Sequence, residues 1–541
     1  MHRLPPFGSL LPHVRPFFVS RTAIWLAAPV GASLSLAFAP FDAWPIAIAA
    51  MAWLFLGWHF SVPRRAAKIG FLFTSGTYVA GTYWLYHSIY EIGKAPLPLT
   101  LFVMAALVAI MAGYTAAVGY GIARWCTTAS SSDTRAARAE ARDWPTALQL
   151  LLVMPAAWVL LEWFRGWFLS GFPWLALGYT HLDTPLSGWA PVGGVYTVSF
   201  AVAMCAGALA ALVRCAGRIR LVAVAAVAAV WAVAFALSQR AWTEPTGRSV
   251  SVAVVQGAVR QEMKWSPEQR QRTIDLYRNL TEPHFGVDLI VWPEAALPAL
   301  AHEVMHVLQE QWAKARARGS DLVIGQIRYD FESDVYHNAV LALSDEAQWY
   351  SKRRLVPFSE FFPVPDWVKE WLRGMELPYS GFEAGAQDQP ALVAAGEKLG
   401  ITICYEDAYA SDQLAVLREA TMLVNVTNDA WFGDSTAAHQ HLQISRMRAL
   451  EAGRPLVRAA NDGISAIISA DAKIQNALPR FEPGVLVARI EPRQGLTPYA
   501  RVGNTPLILL CTIIVGAASA HRAIASRRRR ATMKARAAQH V

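Results

Sequence analysis

Charge is scarce in this sequence and cysteine scarcer still. Only 16% of the 541 residues are Asp, Glu, Lys or Arg, against 54% hydrophobic residues and a mean hydropathy of +0.27. That balance excludes an ordinary soluble enzyme, while the charge gathered in the second half excludes a membrane bundle alone. Of the five cysteines, Cys126, Cys205, Cys215 and Cys511 lie in or beside apolar stretches, where a thiol serves as a small hydrophobe. Cys404 alone lies in the polar half. It has no partner there, which excludes a disulfide framework and leaves a structural thiol or a nucleophile. Internal repeats, a Gly-rich phosphate loop and a Cys/His cluster with metal-ligand spacing are all missing. His439 and His441 come nearest to such a cluster, but residues two apart on a helix do not face one another, so no metal site is expected. The net charge of +9 sits in short basic clusters beside apolar windows and in the tail from Arg527, a membrane-topology signal and not a nucleic-acid patch.

What is present first is a series of long apolar windows, each close to the roughly 17–25 residues that a spanning helix needs. Seven fall at 22–40, 44–60, 69–88, 97–123, 144–161, 189–213 and 221–237, and an eighth at 505–520. Basic residues are retained on the cytoplasmic side. Arg64, Arg65 and Lys68 follow the second window, Arg124, Arg135, Arg138 and Arg142 the fourth, and Arg214, Arg218 and Arg220 the sixth. With Arg3, Arg15 and Arg21 in front, the N-terminus is expected inside. Seven crossings then put the stretch from about Arg240 to Arg501 outside, and the eighth returns the C-terminal tail to the cytoplasm.

That external stretch is written differently. "SVSVAVVQG", "VDLIVWPE", "DLVIGQI", "YHNAVLALS", "LGITICYE" and "TMLVNVTND" predict strands, and "SPEQRQRTIDLYRNLTE" a helix with Ser266 at its N-cap. Further helices are expected over 303–318 and 439–452. The expected organisation is a membrane domain over 1–245, an α/β domain over 246–500 and a last span with its basic tail over 501–541.

Three stretches share one pattern, an apolar strand delivering a reactive side chain at or just past its C-terminal end. They are "LIVWPEAALP" with Glu294, "WYSKRRLVPFSEF" with Lys352 and "GITICYED" with Cys404. A thiol of pKa about 8.5 is only slightly ionised at neutral pH, so a nucleophilic cysteine needs a base or a positive charge beside it. Glu294 suits the first role and Lys352 the second. Singly, each has an ordinary reading as a buried thiol, a loop carboxylate and a surface cation, and spacing alone does not join them.

"WPE", a lysine ahead of "LVPFSEF", and "CYE", in that order within an α/β domain, resemble the Glu-Lys-Cys triad of the nitrilase superfamily. Several further stretches extend the likeness nearly end to end: "EWFRGWFLSGFPWLALGY", "VVQGAVRQEMKW", "NDAWFGDS", "RMRALEAGRPLVRAANDGIS" and "GLTPYARVGNTP". With the membrane windows, the chain resembles the apolipoprotein N-acyltransferase family.

The resemblance implies a polytopic α-helical membrane bundle of about eight spans joined to an extramembrane α/β nitrilase-like αββα sandwich. It assigns Glu294 as general base, Lys352 as the oxyanion-side lysine and Cys404 as nucleophile, with Glu360, Tyr405 and Glu406 supporting them. Trp265 matches a tryptophan associated with acyl-chain binding. Trp163, Trp167 and Trp174, in an aromatic loop with Phe164, Phe168 and Phe172, are expected at the lipid headgroup level. The implied reaction transfers the sn-1 acyl chain of a phospholipid, phosphatidylethanolamine foremost, through a Cys thioester to the α-amine of a diacylglyceryl apolipoprotein. The implied setting is the inner membrane of a Gram-negative bacterium, with a periplasmic catalytic domain, both termini cytoplasmic and the protein a monomer. No metal, organic cofactor or nucleic acid is implied. A membrane-tethered amidase that hydrolyses a small amide uses the same triad and is the alternative.

Overall fold

The computed structural model describes residues 11–126, 144–357, 359–361 and 381–539. Arg3 and the basic loop of Arg135, Arg138 and Arg142 lie outside them. The chain divides into two compact units: Met1–Tyr83, Leu97–Arg240 and Asn504–Val541 form the first, Trp84–Pro96 and Ala241–Gly503 the second.

The first unit is helical. Among the described residues, five helices are long and apolar enough to cross a membrane: Leu97–Cys126, Trp144–Arg165, Pro185–Arg214, Arg218–Ser238 and Thr505–Arg528. Trp44–His59 is apolar but shorter, and Arg21–Ser33 and Pro63–Gly81 complete a set of eight at the positions of the eight apolar windows. Several boundaries differ from expectation, chiefly at the first and third windows of the bundle. The helix over 22–40 stops at Ser33 and gives way to a tighter turn over Leu34–Ala37. The third begins at Pro63, whose fixed φ suits a first helical turn, and ends at Gly81 instead of running to Ser88. Small residues set the packing, since hydrophobicity alone gives apolar helices little reason to associate in lipid. A Cβ on Gly31 would stand 1.8 Å from the Phe73 carbonyl oxygen, and one on Gly76 1.9 Å from that of Ala28, so these two helices touch backbone to backbone.

In the second unit, six strands form one mixed sheet: β2 (Val250–Gln256), β3 (Leu289–Trp292), β4 (Asp321–Asp330), β5 (Val335–Leu343), β6 (Ala347–Ser351) and β13 (Gly484–Ile490). The order is β13-β2-β3-β4-β5-β6, with β2, β3 and β4 parallel. The other sheet runs β12-β11-β10-β9-β8-β7, with β8 (Glu397–Ile403), β9 (Met422–Thr427) and β10 (Leu456–Ala460) parallel at its centre. Its outer strands are β7 (Leu392–Ala394), β11 (Ala466–Ile468) and β12 (Ile474–Ala477). A short pair, β1 (Glu244–Pro245) and β14 (Arg493–Gln494), stands apart.

Strand side chains alternate between faces, and here both faces are covered, so the strands read as nearly unbroken apolar runs. Val252, Val254, Leu289 and Val291 meet Ile401, Ile403, Val424 and Val426 between the sheets. Ala253, Val255, Ile290 and Trp292 point the other way, onto Ile274 and Tyr277 of helix Pro267–Thr281 and Val307 and Leu308 of helix Met305–Arg316. Leu423 and Leu456 likewise meet Leu442 and Ala449 of helix Ala437–Ala452. Four layers result, helix, sheet, sheet, helix. Ser266 occupies the N-cap position of Pro267–Thr281, but its side chain makes no capping hydrogen bond.

Candidate active site

Parallel strands end on one edge, and loops leaving their C-terminal ends gather there. β3 stops at Trp292, with Glu294 just beyond it; β8 stops at Ile403 and Cys404 follows directly. Lys352 comes next after β6. Both turns are sharp. Cys404 takes φ 51° and Ala295 φ 45°, the left-handed region that side chains rarely occupy and that clusters at functional sites. Gly325 in β4 makes room for the first: a Cβ there would lie 2.4 Å from the Pro293 carbonyl oxygen and 2.6 Å from Glu294 Cα.

The structure brings Glu294, Lys352 and Glu360 into one hydrogen-bonded group. Lys352 Nζ lies 3.3 Å from Glu294 Oε1 and 2.8 Å from Glu360 Oε1. Asn338 Nδ2 donates to the same two oxygens, at 2.7 and 2.9 Å. The Asn428 amide donates to Glu294 Oε2 at 2.9 Å, and that of Val356 to Glu360 Oε2 at 2.8 Å. Burial opposes the charge on Lys352, but the Glu360 and Glu294 carboxylates outweigh it and hold the pKa above the ordinary lysine value, so the ammonium stays charged. Cys404 belongs to the same group electrostatically. Burial pushes its thiol well up and the Glu294 charge adds to the shift, against the opposing pull of Lys352. The resting sulfur therefore keeps its proton.

Glu406 does not touch Lys352. Its carboxylate accepts from the Ile403 amide at 2.8 Å, the Tyr350 hydroxyl at 3.0 Å, and the Arg353 and Arg354 amides at 2.5 and 3.1 Å. It thereby clamps the turn before Cys404 to the segment that carries Lys352. Tyr405 is half-buried and meets Tyr409 edge to face at 5.1 Å. Trp265 is 39% exposed, directly after the buried Lys264.

Two further residues hydrogen-bond Glu294. Asn338 is a polar residue at the head of the apolar run "AVLAL", and Asn428 opens "NDAWFGDS", so both had a signal in the sequence. Beneath Cys404 lie four buried ionisable groups. His441 Nε2 stands 3.2 Å from the Cys404 carbonyl oxygen and 3.0 Å from Asp407 Oδ1, with Nδ1 2.9 Å from Asp429 Oδ1. Arg458 donates to Asp429 Oδ2 at 2.9 Å. Burial and Arg458 oppose a charge on His441, but Asp407 and Asp429 raise its pKa to about 9. This histidine is thus an ion-pair member supporting the turn.

The aromatic loop belongs to the other unit. Trp163 is half-buried, Trp167 is 49% exposed and stacks edgewise on it at 5.5 Å, and Trp174 is buried. The loop is tied down from within: Glu162 accepts from the Leu177 amide at 2.7 Å, and Arg165 donates to the Trp174 and Leu175 carbonyls at 2.8 and 3.0 Å.

Residues 30–208 match the family model for the apolipoprotein N-acyltransferase N-terminal domain, and residues 251–499 match the carbon-nitrogen hydrolase family model. Among named relatives, the apolipoprotein N-acyltransferase of Methylococcus capsulatus is 40% identical over 503 residues, 92% of this chain and 96% of its own. That of Azotobacter vinelandii is 39% identical over 91% of this chain and 93% of its own, and that of Pseudomonas putida 38% over 91% and 95%.

Proposed function

The chain belongs to the apolipoprotein N-acyltransferase family, and from that premise we propose that it carries a fatty acyl chain on Cys404 from a phospholipid to the N-terminal amine of a diacylglyceryl apolipoprotein. As Cys404 Sγ attacks the sn-1 ester carbonyl of a phospholipid such as phosphatidylethanolamine, Glu294 takes the thiol proton. Lys352 donates to the forming oxyanion, where one donor is worth about 3 kcal/mol of barrier. The ester C–O bond breaks, Glu294 returns the proton to the departing lysophospholipid, and a thioester remains. The α-amine then attacks the thioester, its proton passes through Glu294 to the leaving sulfur, and the amide is released.

The observation that carries this reading is the site itself, a protonated thiol beside a charged lysine held between two carboxylates, in a chain that matches its relatives nearly end to end. Residues 246–500 supply the chemistry, with Glu360 holding Lys352, and Glu406 and Tyr405 setting the turn. Residues 1–245 and 501–541 hold the enzyme in the membrane. Trp265 covers the acyl chain, while Trp163 and Trp167 face lipid over a floor that Trp174 lines from within.

Orientation follows from charge and from packing. Trp84–Pro96 belongs to the same compact unit as Ala241–Gly503, so both lie on one side of the bilayer. Four long apolar helices separate them in sequence, an even number of crossings. The basic loops fall between those crossings, which supports a periplasmic catalytic unit with both ends in the cytoplasm; we propose a Gram-negative inner membrane as the setting and a monomer as the working form.

Intact mass measurement tests the thioester. Protein purified with phospholipid should carry a fatty-acyl adduct that is absent from Cys404→Ser and removed both by neutral hydroxylamine and by a diacylglyceryl lipopeptide. Hydrolysis of small amides with no adduct and no acylated lipopeptide would overturn the reading.

A further inference from the structure

The second half-reaction has one proton too many for Glu294. The acceptor arrives largely as an ammonium, since an α-amine titrates at about 7.7–8.0, and only the free amine attacks. Ammonium plus thioester gives amide, thiol and one released proton. Glu294 already takes one proton from the attacking nitrogen as the C–N bond forms and gives it to sulfur as the C–S bond breaks. The proton lost before attack needs a separate acceptor.

One carboxylate outside the triad is placed for it. Asp462 is 7% exposed, and its Oδ1 is buried with no hydrogen-bond partner among the described residues. A buried acceptor left unpaired is destabilising unless something fills the place. Its chain neighbours are docked on the catalytic turn after β9. Asn461 Nδ2 donates to Asn428 Oδ1 at 3.0 Å, and a Cβ on Gly463 would lie 2.2 Å from Asp429 Oδ2. Asn428 and Asp429 are the residues that hold Glu294 and His441.

Across from Asp462 lies Lys264, buried to 1% exposure, its Nζ donating to the Glu294 carbonyl oxygen at 3.3 Å. Asp462 and Lys264 feel one another's charge, yet among the described residues no ion pair within 4.0 Å joins them. Other groups that act on the carboxyl are Asp429, which disfavours its charge, Arg480, which favours it, and its own backbone amide; the Tyr277 hydroxyl also feels it. Burial first and Asp429 second raise Asp462 to about 7, while burial lowers Lys264 to about 8.

We propose, on the thioester reading above, that Asp462 binds the incoming α-ammonium and takes its first proton, delivering the free amine to the acylated Cys404. The ammonium N–H bond breaks, its electron pair stays on nitrogen, and Asp462 becomes the neutral acid that later releases the proton to solvent.

The test uses full-length enzyme in detergent, loaded with acyl chain from phospholipid and discharged in a single turnover across pH. For wild type, discharge by a diacylglyceryl lipopeptide should lose rate as pH falls through neutrality. Asp462→Asn should still load, yet discharge to the lipopeptide about tenfold or more slowly at neutral pH, recovering as pH rises past the amine's own titration. Hydroxylamine, neutral at pH 7, should discharge both proteins alike, and Asp462→Glu should regain part of the lipopeptide rate. Equal lipopeptide profiles for wild type and Asp462→Asn, or a parallel loss with hydroxylamine, would overturn the proposal. If Asp462→Asn fails to load, Asp462→Glu decides: loading with no pH-dependent discharge overturns it as well. A wild type that never loads overturns the thioester reading itself.

Discussion

Lys352 is held by charge on both sides, and removing it does two separable things. With methionine there, Glu294 and Glu360 face each other buried and without their cation, a change that costs about 3–5 kcal/mol. Lys352→Met should therefore lower the melting temperature and abolish the acyl adduct. Adding Glu360→Gln removes one of the two charges and should restore part of the melting temperature, while the adduct stays absent, because the oxyanion donor is still missing. Recovery of the adduct in the double variant would show Lys352 to be structural. His441 gives a pH-dependent counterpart. Its folded pKa of about 9 stands above the unfolded value of 6.5, so its ion pairs stabilise fully below pH 6.5 and lose that contribution as pH rises through 9. The stability gap between wild type and His441→Asn, read from thermal melts, should shrink over that interval. A constant gap would mean that packing and not charge is what His441 supplies. At this scale the positions of Glu294, Lys352 and Cys404 at or just past strand ends were legible, while what joins them came from the family resemblance and not from spacing. Asp462, Lys264 and the ion pairs under Cys404 were not, because each is defined by groups beyond its own local segment, as with the 12 positions between His441 and Asp429 or the 37 between His441 and Cys404.

The strands themselves were readable for the opposite reason. The predicted runs are buried on both faces through most of their length, so the apolar signal is nearly continuous. The helix ends were less readable, since Pro63 and Gly81 mark the third one only when its neighbours are known. Gly325 shows what an interior strand glycine does here. Its place in β4 is the space that Pro293 and Glu294 occupy, and backbone atoms cannot retreat as a flexible side chain can. Gly325→Ala should displace the base and slow acyl loading by two orders of magnitude or about that, with lipopeptide discharge slowed alongside. A near-normal loading rate would mean that β3 and β4 slide apart without disturbing Glu294. A second glycine makes the same point at the turn after β9. Gly433 takes φ 56°, and a Cβ would stand 2.5 Å from the His87 ring. The segment carrying His87 was read as the end of a membrane span, yet Ser88 Oγ donates to the Trp431 carbonyl at 2.7 Å and Trp84 meets Phe432 at 4.8 Å. Nothing local in "YWLYHSIYEIGK" separates it from the helix before it; its partners lie more than 300 residues on.

Across the whole chain, that segment supplies a check on topology that owes nothing to the basic loops. Any count of crossings must return residues 84–96 and 241–503 to one side, and charge must put Ala216, in the loop between two long helices, on the other. Single cysteines at Lys94, Asp345 and Ala216 test both conditions. Lys94 and Ala216 are exposed, and the Asp345 side chain is 99% exposed. A Cys126→Ser background removes the native thiol that is only half-buried, leaving four that are buried. With a membrane-impermeant maleimide on cells whose outer membrane is opened, Lys94→Cys and Asp345→Cys should label at once, and Ala216→Cys only after the inner membrane is breached. Labelling of Lys94→Cys and Asp345→Cys from opposite sides would break the even count and with it the packing of 84–96 on the catalytic unit. Labelling of all three in the reverse order would keep the packing and invert the enzyme, facing it toward the cytoplasm against the direction its arginines set.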